Sequence, residues 1–259
     1  MRILLTNDDG VSSIGLTLLA KSLKDSGHRV YIMAPDSDRS GISHAVSFIH
    51  TPCKMSKRDE DTWGCSGTPV DCVSLSLMGI FPELRETYPD VVISGINRGA
   101  NLGTDIIYSG TASAARQASL LGIPAIALSL VAGDDGHEDA GHSNEWHWET
   151  AVAFSTLNLE QMLSYWKTDT FVNVNMPNNK EMPLGLAPTF PARRRYTDAI
   201  DLYTSPSGDV YSFAKGGTCS SENPAGSDCE AVSKNYASMS AIYIQPVALE
   251  DILIRGGGR

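Results

Sequence analysis

Residues 1–10 read MRILLTNDDG, and this stretch decides the fold. Ile3-Leu4-Leu5 is an apolar run that stops at Asn7-Asp8-Asp9-Gly10, before a helix-like pattern resumes near Ile14. A short apolar run bounded by turn residues fits a strand buried on both faces, the strand type of a parallel sheet covered by helices. Two adjacent carboxylates at the end of such a strand repel one another. Ionising both is costly unless a cation or hydrogen-bond donors stand between them.

Outward from that strand (Arg2–Leu5) the alternation continues. Ile14–Leu23 reads as a helix, with Leu16, Leu19, Ala20 and Leu23 on one face. Arg29–Ala34 is a second strand stopped by Pro35, and Val91–Ser94 a third. Thr111–Leu121 favours helix, Gly122-Ile123-Pro124 breaks it, and Ala125–Leu130 is a further apolar strand. Ala45–Lys57 and Thr62–Cys65 read as shorter strands, Val70–Met78 and Glu145–Leu163 as helices, and Phe171–Val174 as a strand. The class is α/β, a mainly parallel sheet between helical layers.

Past Pro183 the character changes. Ala187–Tyr211 carries Pro, Gly, Ser and clustered Arg with short alternating runs, the pattern of an extended C-terminal β-hairpin arm. Ser220–Asp228 reads as an exposed loop and Tyr243–Pro246 as the final strand. The expected division is a metal- and phosphate-binding core over residues 1–185, then an arm, oligomerisation segment and C-terminal strand over 186–259.

The chain has 259 residues, 42% hydrophobic and 19% charged, enough for a sizeable core. Twenty basic against thirty acidic residues give a net charge of −10, which argues against binding duplex nucleic acid through its phosphates. No stretch approaches the length of a membrane-spanning helix, and Asn7-Asp8-Asp9 interrupts the first apolar run before a secretory signal forms. Five scattered cysteines suit neither a disulfide framework nor a zinc site, so a reduced, cytoplasmic protein is expected.

In open parallel sheets ligands bind beyond the carboxyl ends of the strands. Here those ends run into Asn7-Asp8-Asp9-Gly10, Pro35-Asp36-Ser37-Asp38-Arg39-Ser40-Gly41 and Gly95-Ile96-Asn97-Arg98-Gly99-Ala100-Asn101. An isolated Asp-Asp-Gly is explained by a turn or helix cap. Three oxygen-rich loops on one sheet edge instead match the ligand set of magnesium, manganese or calcium. Tyr108-Ser109-Gly110-Thr111 precedes a helix, where Ser109 or Thr111 can serve as a cap. The same free N–H groups make an anion site. A cation and a phosphate cradle together point to phosphoryl chemistry. Neither a P-loop nor a Gly-x-Gly-x-x-Gly fingerprint is present.

MRILLTNDDG, APDSDRSGIS, GTPVDCV and SGINRGANLGTDIIYSGT together resemble the SurE family of stationary-phase survival proteins. The resemblance covers Met1 to about Leu130 and is looser beyond. It implies a three-layer Rossmann-like core and a divalent-metal-dependent phosphatase acting on nucleoside 5′-monophosphates, with activity extending to 3′-nucleotides and short polyphosphate. It also implies a homodimer that pairs into tetramers. Carried over by residue, Asp8 and Asp9 are the catalytic pair and hold, with Ser40 and Asn97, one Mg2+ or Mn2+ per subunit. Asn101, Ser109, Gly110 and Thr111 match the phosphate-binding part of the motif. The chain departs from the family pattern at Gln117-Ala118, where relatives carry Glu-Gly, and at Phe213–Gly217.

Smaller signals weigh less. Asp134, Asp135, His137, Glu138, Asp139 and His142 read as a solvated loop, with a substrate-side lid the lesser reading. Arg193–Arg195 is expected to cover a subunit contact rather than steer substrate, and Asp228 to cap a loop. Water is the expected nucleophile on phosphorus, with an acyl-phosphate on Asp8 as the competing route. A sugar-nucleotide-dependent transferase and a non-catalytic nucleotide sensor are the alternatives. The compact NDDG directly after the first strand disfavours the transferase.

Overall fold

The computed structural model describes residues 1–131 and 145–246, so the acidic 134–142 stretch lies outside the described residues. In chain order the elements are β1 (Arg2–Thr6), α1 (Ile14–Asp25), β2 (Arg29–Pro35), β3 (Met55–Lys57), β4 (Thr62–Cys65), α2 (Pro69–Leu75), α3 (Pro82–Glu86), β5 (Val91–Arg98), α4 (Gly110–Leu120), β6 (Ala125–Val131), α5 (Trp148–Leu157), α6 (Leu159–Tyr165), β7 (Thr170–Pro177), β8 (Leu186–Pro188), β9 (Arg193–Thr204), β10 (Val210–Glu222), α7 (Asp228–Ser233) and β11 (Ala237–Tyr243). A π-helical turn covers Ser76–Ile80 and a 3-10 helix Gly103–Ile107.

The described strands form a nine-stranded sheet in the order β3-β4-β2-β1-β5-β6-β7-β11-β8, parallel except at β3-β4 and β7-β11. Successive side chains of a strand point to opposite faces, and β1 shows the consequence. Ile3 and Leu5 pack with Leu16, Leu19 and Leu23 of α1 and with Trp148 and Phe154 of α5. Leu4 packs on the other side with Cys72 and Val73 of α2 and Ala112, Ala115 and Ala118 of α4. Each fully buried leucine contributes about 1.5–3 kcal/mol by leaving water. The result is three layers, α/β/α. β9 and β10 stand outside them as an antiparallel two-stranded ribbon. No helix among the described residues is long and apolar enough to cross a membrane.

The structure revises several expected boundaries. Only Met55–Lys57 of the expected strand Ala45–Lys57 pairs. Upstream, the Ser47 N–H donates to Asp71 Oδ1 at 3.0 Å and turns the chain away from the sheet. The expected helix Val70–Met78 starts earlier, at Pro69 behind a Thr68/Asp71 capping box, and widens into the π turn after Leu75. Glu145–Leu163 is two helices parted at Asn158, whose Nδ2 donates to Phe154 O at 2.8 Å. Within Ser220–Asp228, residues to Glu222 extend β10 and Ser227 caps α7. Among the described residues the last strand is Ala237–Tyr243, not Tyr243–Pro246, because buried Ser238 and Ser240 interrupt its apolar pattern.

β1 lies between β2 and β5, so the chain leaves β1 first to one side and later to the other. The crevice at such a reversal is where a doubly wound sheet receives its ligand. Asn7-Asp8-Asp9-Gly10 stands at its centre.

Candidate active site

The first loop is built by Asn7, which is fully buried. Its Nδ2 donates to Gly10 O at 3.1 Å and to Ser13 Oγ at 2.6 Å, while its Oδ1 accepts the Gly10 N–H at 3.2 Å. A side chain that closes its own turn leaves the two following carboxylates in fixed places. Asp8, 4% exposed, accepts from the Thr111 hydroxyl at the start of α4. Gly110 is required there by close approach: a Cβ would lie 2.8 Å from Asp8 Cβ and Oδ2. Asp9 Oδ2 accepts the Arg98 N–H at 3.2 Å.

The second loop is tied to the first, since the Arg39 N–H donates to Asp8 O at 2.8 Å. Asp38 Oδ1 accepts both the Ser40 N–H at 2.7 Å and the Ser40 hydroxyl at 2.6 Å. That hydroxyl therefore keeps its oxygen lone pairs to offer a ligand. The third loop is longer than its expected strand, because β5 runs on to Arg98 through a bulge between Ser94 and Asn97. Gly95 permits it: φ is +137°, and a Cβ would lie 2.3 Å from Leu128 O. The bulge re-aims the strand end and delivers Asn97, 9% exposed. Asn97 Nδ2 donates to Gly99 O at 3.0 Å, so Oδ1 is the atom it has to offer a cation.

Burial pushes the Asp8 carboxyl above its ordinary range against the pull of Thr111. Burial and the neighbouring Asp8 charge push Asp9 up to about 7. Both shifts are the cost of packing anions together away from water, and a divalent cation would remove it. Among the described residues no group of three or more His, Cys, Asp or Glu side chains is placed to hold a metal, so neutral oxygens have to complete the shell. Hydroxyl and amide oxygens beside two carboxylates suit a hard cation, and the residues present fit one.

A cleft of about 1310 Å³ opens on Asp8, Asp9, Ser40, Asn97, Asn101 and Ser109, six of the eight site residues read from the sequence. Thr111 and Gly110 lie against Asp8 from behind. Ser109 caps α4, accepting the Ala112 N–H at 3.0 Å. Asn101 is wired into the sheet: its N–H donates to Asn175 Oδ1 at 2.8 Å and its Nδ2 to Ser129 Oγ at 2.7 Å.

The cleft also includes Asp38 of the second loop, and recruits Asp105, Trp148, Arg194 and Tyr196, which sequence reasoning did not place there. Asp38 was signalled by its position two residues before Ser40, the spacing of an Asx turn. Arg194 and Tyr196 reach the core from β9. The Arg194 guanidinium meets Asp105 Oδ2 at 2.7 Å, and the Tyr196 hydroxyl donates to Asp105 Oδ1 at 2.6 Å. Asp228 ties this junction down, accepting the Gly103 N–H at 2.7 Å and the Ala192 N–H at 2.8 Å. No local pattern announces contacts this remote in sequence.

The model of the family Survival protein SurE matches residues 3–198. The 5′-nucleotidase SurE of Syntrophotalea carbinolica is 39% identical over 246 residues, covering 94% of this chain and 92% of the relative. That of Desulforudis audaxviator is 37% identical over 253 residues, with coverages of 94% and 92%. The crystal structure of the Sure protein from Aquifex aeolicus superposes with a TM-score of 0.80 at 33% identity, covering 98% of both chains. With sequence and fold in agreement over nearly the whole length, the chain belongs to the survival protein SurE family.

Proposed function

We propose that this chain is a 5′-nucleotidase, a phosphatase that hydrolyses nucleoside 5′-monophosphates with the help of one divalent cation, Mg2+ or Mn2+. The observation that carries the reading is the convergence of Asp8, Asp9, Ser40 and Asn97 on the cleft that also receives the Ser109 end of α4. The curated relatives named 5′-nucleotidase SurE support the substrate class.

Asp8, Asp9, the Ser40 hydroxyl and Asn97 Oδ1 would hold the cation, with Asp38 orienting Ser40. A divalent ion bound there supplies positive charge to a phosphoryl group, polarising it toward attack. Asn101, Ser109, Gly110 and Thr111 form the cradle for the phosphate, at the positive end of α4. Asp8 is ill placed to attack phosphorus itself, because it is 4% exposed and bonded to Thr111. Water is therefore the nucleophile, and borohydride trapping of an aspartyl-phosphate would overturn that assignment. Activity toward 3′-nucleotides and short polyphosphate belongs to the same proposal, since the cradle reads the phosphate first.

The arm exposes Ile200, Leu202, Tyr203, Val210, Tyr211 and Phe213 along its length. An apolar ribbon of this kind suits pairing with a second copy of the chain, as a homodimer or a homotetramer of two dimers. Phosphate release from AMP and GMP, with manganese or with EDTA and against Asp9→Ala, tests the central reading. Turnover that EDTA and the substitution leave intact would remove the metal; no turnover at all would leave a nucleotide-binding protein.

A further inference from the structure

Three of the five cysteines come together outside the cleft, where β4 ends against α2. Cys65 and Cys72 are fully buried, and the half-buried Cys53 packs against their cluster. β3 and β4 pair Met55 with Cys65, and the ladder runs on through the Ser66 N–H, which donates to Lys54 O at 3.0 Å. That register puts Cys53 opposite Gly67 and diagonal to Cys65, on one face of the pair. Gly67 is the floor between the two sulfurs. Its N–H donates to Cys65 Sγ at 3.3 Å, and a Cβ there would lie 2.9 Å from Cys53 Sγ. Hydrogen bonds from the Cys72 thiol, the Gly67 N–H and the Cys53 thiol outweigh burial and bring Cys65 down to about 7. Near neutral pH a good share of it is thiolate, the form that attacks sulfur.

The turn that carries these thiols also holds the second loop of the site. Cys65 O accepts the Asp36 N–H at 2.7 Å, at the first residue after β2. Ser66 O accepts Arg39 Nη2 at 2.8 Å. Arg39 is the residue whose own N–H meets Asp8 O, and Ser40 follows it in the chain. The loop from Asp36 to Ser40 is thus gripped at both ends by Cys65 and its neighbour. Cys53 closes the segment that leaves Ser40 on the other side. Its sulfur lies 3.7 Å from Ser47 Oγ and 3.9 Å from Asp71 Oδ2, the carboxylate that caps α2.

Resting on the reading of Ser40 as a cation ligand, we propose that Cys53 and Cys65 form a reversible disulfide with a low-molecular-weight disulfide as oxidant, and that this bond loosens the Ser40 loop. The more accessible thiol, Cys53, gives up its proton and attacks one sulfur of the oxidant. A mixed disulfide forms and one small thiolate leaves. The Cys65 thiolate then attacks Cys53 Sγ and expels the second small thiolate. Two protein thiols lose two electrons and two protons, and one small disulfide becomes two thiols. Diagonal neighbours stand about 7–8 Å apart, beyond the usual span of a disulfide, so closing the bond draws the two segments together. Cys53 lies outside β3 and Cys65 ends β4, so the shift falls on the turn whose carbonyls hold Asp36 and Arg39. A bond closed against such resistance is easily reduced, which suits control rather than a permanent staple.

The test incubates the full chain with glutathione disulfide, maps its disulfides by mass spectrometry of the unreduced digest, and titrates manganese by calorimetry. The expected map joins Cys53 to Cys65. Loss of the Arg39 contact predicts manganese affinity about two- to tenfold weaker in the oxidised chain. Limited trypsin digestion should also cut sooner after Arg39. Dithiothreitol is expected to reverse all three effects. Cys53→Ser, a near-isosteric change at a half-buried position, should abolish them, whereas Cys72→Ala should keep the Cys53–Cys65 bond. A bond between Cys65 and Cys72, a mixed disulfide that persists on Cys53, or no bond at all would overturn the proposal. So would a fully oxidised chain whose manganese affinity and Arg39 cleavage match those of the reduced one. If neither form binds manganese, the cation reading falls, and the disulfide map with the cleavage at Arg39 then decides the proposal.

Discussion

Thr111 donates its hydroxyl to Asp8 Oδ1 across 103 residues of chain, joining the end of β1 to the start of α4. The contact couples the two halves of the site, because the residue that steadies the carboxylate stands at the start of α4, where the phosphate cradle is proposed. It also decides which residue caps the helix: Ser109 does, and Thr111 is turned to Asp8.

Thr111→Val keeps the volume and deletes the donor. A buried carboxylate stripped of its partner costs about 1–3 kcal/mol. For a chain of this size that is a fall in Tm of about 2–10 °C, read by calorimetry without metal. Saturating manganese is expected to recover part of the loss. An unchanged Tm would show that Asp8 is solvated rather than dependent on Thr111.

The raised carboxyls at Asp8 and Asp9 give the metal-free protein a definite response to pH. Asp9 moves from its ordinary 3.8 to about 7, so the native chain holds more protons than the unfolded one between those values. Stability conferred by the protonated form is present at low pH and lost as pH rises through that window. Urea midpoints taken with EDTA are expected to fall from pH 5 to pH 8, with manganese restoring more at pH 8 than at pH 5. A midpoint that manganese shifts equally at both pH values would contradict the assignment of Asp9 to the cation.

His44 supplies a second titration. Its Nε2 lies 3.1 Å from Gln117 Oε1. Burial lowers the His44 pKa, the Gln117 contact raises it and the Arg116 charge lowers it. A native pKa below the ordinary 6.5 means that this site loses stability as pH falls through that value. Gln117→Glu places an anion on the ring and is expected to raise the His44 midpoint, followed by NMR. A midpoint that does not move would show that the contact is not made in solution.

The legible parts of the chain are those whose signal is local. Thr62–Cys65 is the strand that its sequence announces, and Arg29–Ala34 needs only Pro35 added. The NDDG turn and the RSG and SGIN loops are likewise local, and the strand-end rule suffices to bring them to one edge. What escapes is what depends on distant partners. Gly95 reads as the end of a strand, yet it is the bulge that carries β5 on to Asn97. Ser238 and Ser240 hide β11, because their hydroxyls are buried by neighbouring strands that no window of sequence contains. Tyr196 and Asp105 are 91 residues apart, and nothing beside either residue calls for the other.

Asp228 gives the last prediction. It is fully buried, and its carboxylate accepts three backbone N–H groups: Gly103 at 2.7 Å, Ala192 at 2.8 Å and its neighbour Cys229 at 2.9 Å. The first belongs to the 3-10 helix that carries Asp105, and the second leads directly into the β9 residues that meet it. Asp228 is thus a positioning residue, holding the base of the arm against the cleft without touching the reacting atoms. Asp228→Ala leaves these buried donors without an acceptor and is expected to cost about 3 kcal/mol or more of stability. Asp228→Asn retains one acceptor oxygen and is expected to cost less. In the Asn variant, which keeps the fold, the junction of Arg194 with Asp105 loosens while the cation ligands stay in place. Limited proteolysis should then cut sooner near residues 189–193, while manganese affinity by titration is unchanged. Equal loss of manganese binding and protease resistance would mean that Asp228 supports the whole sheet edge and not the arm alone.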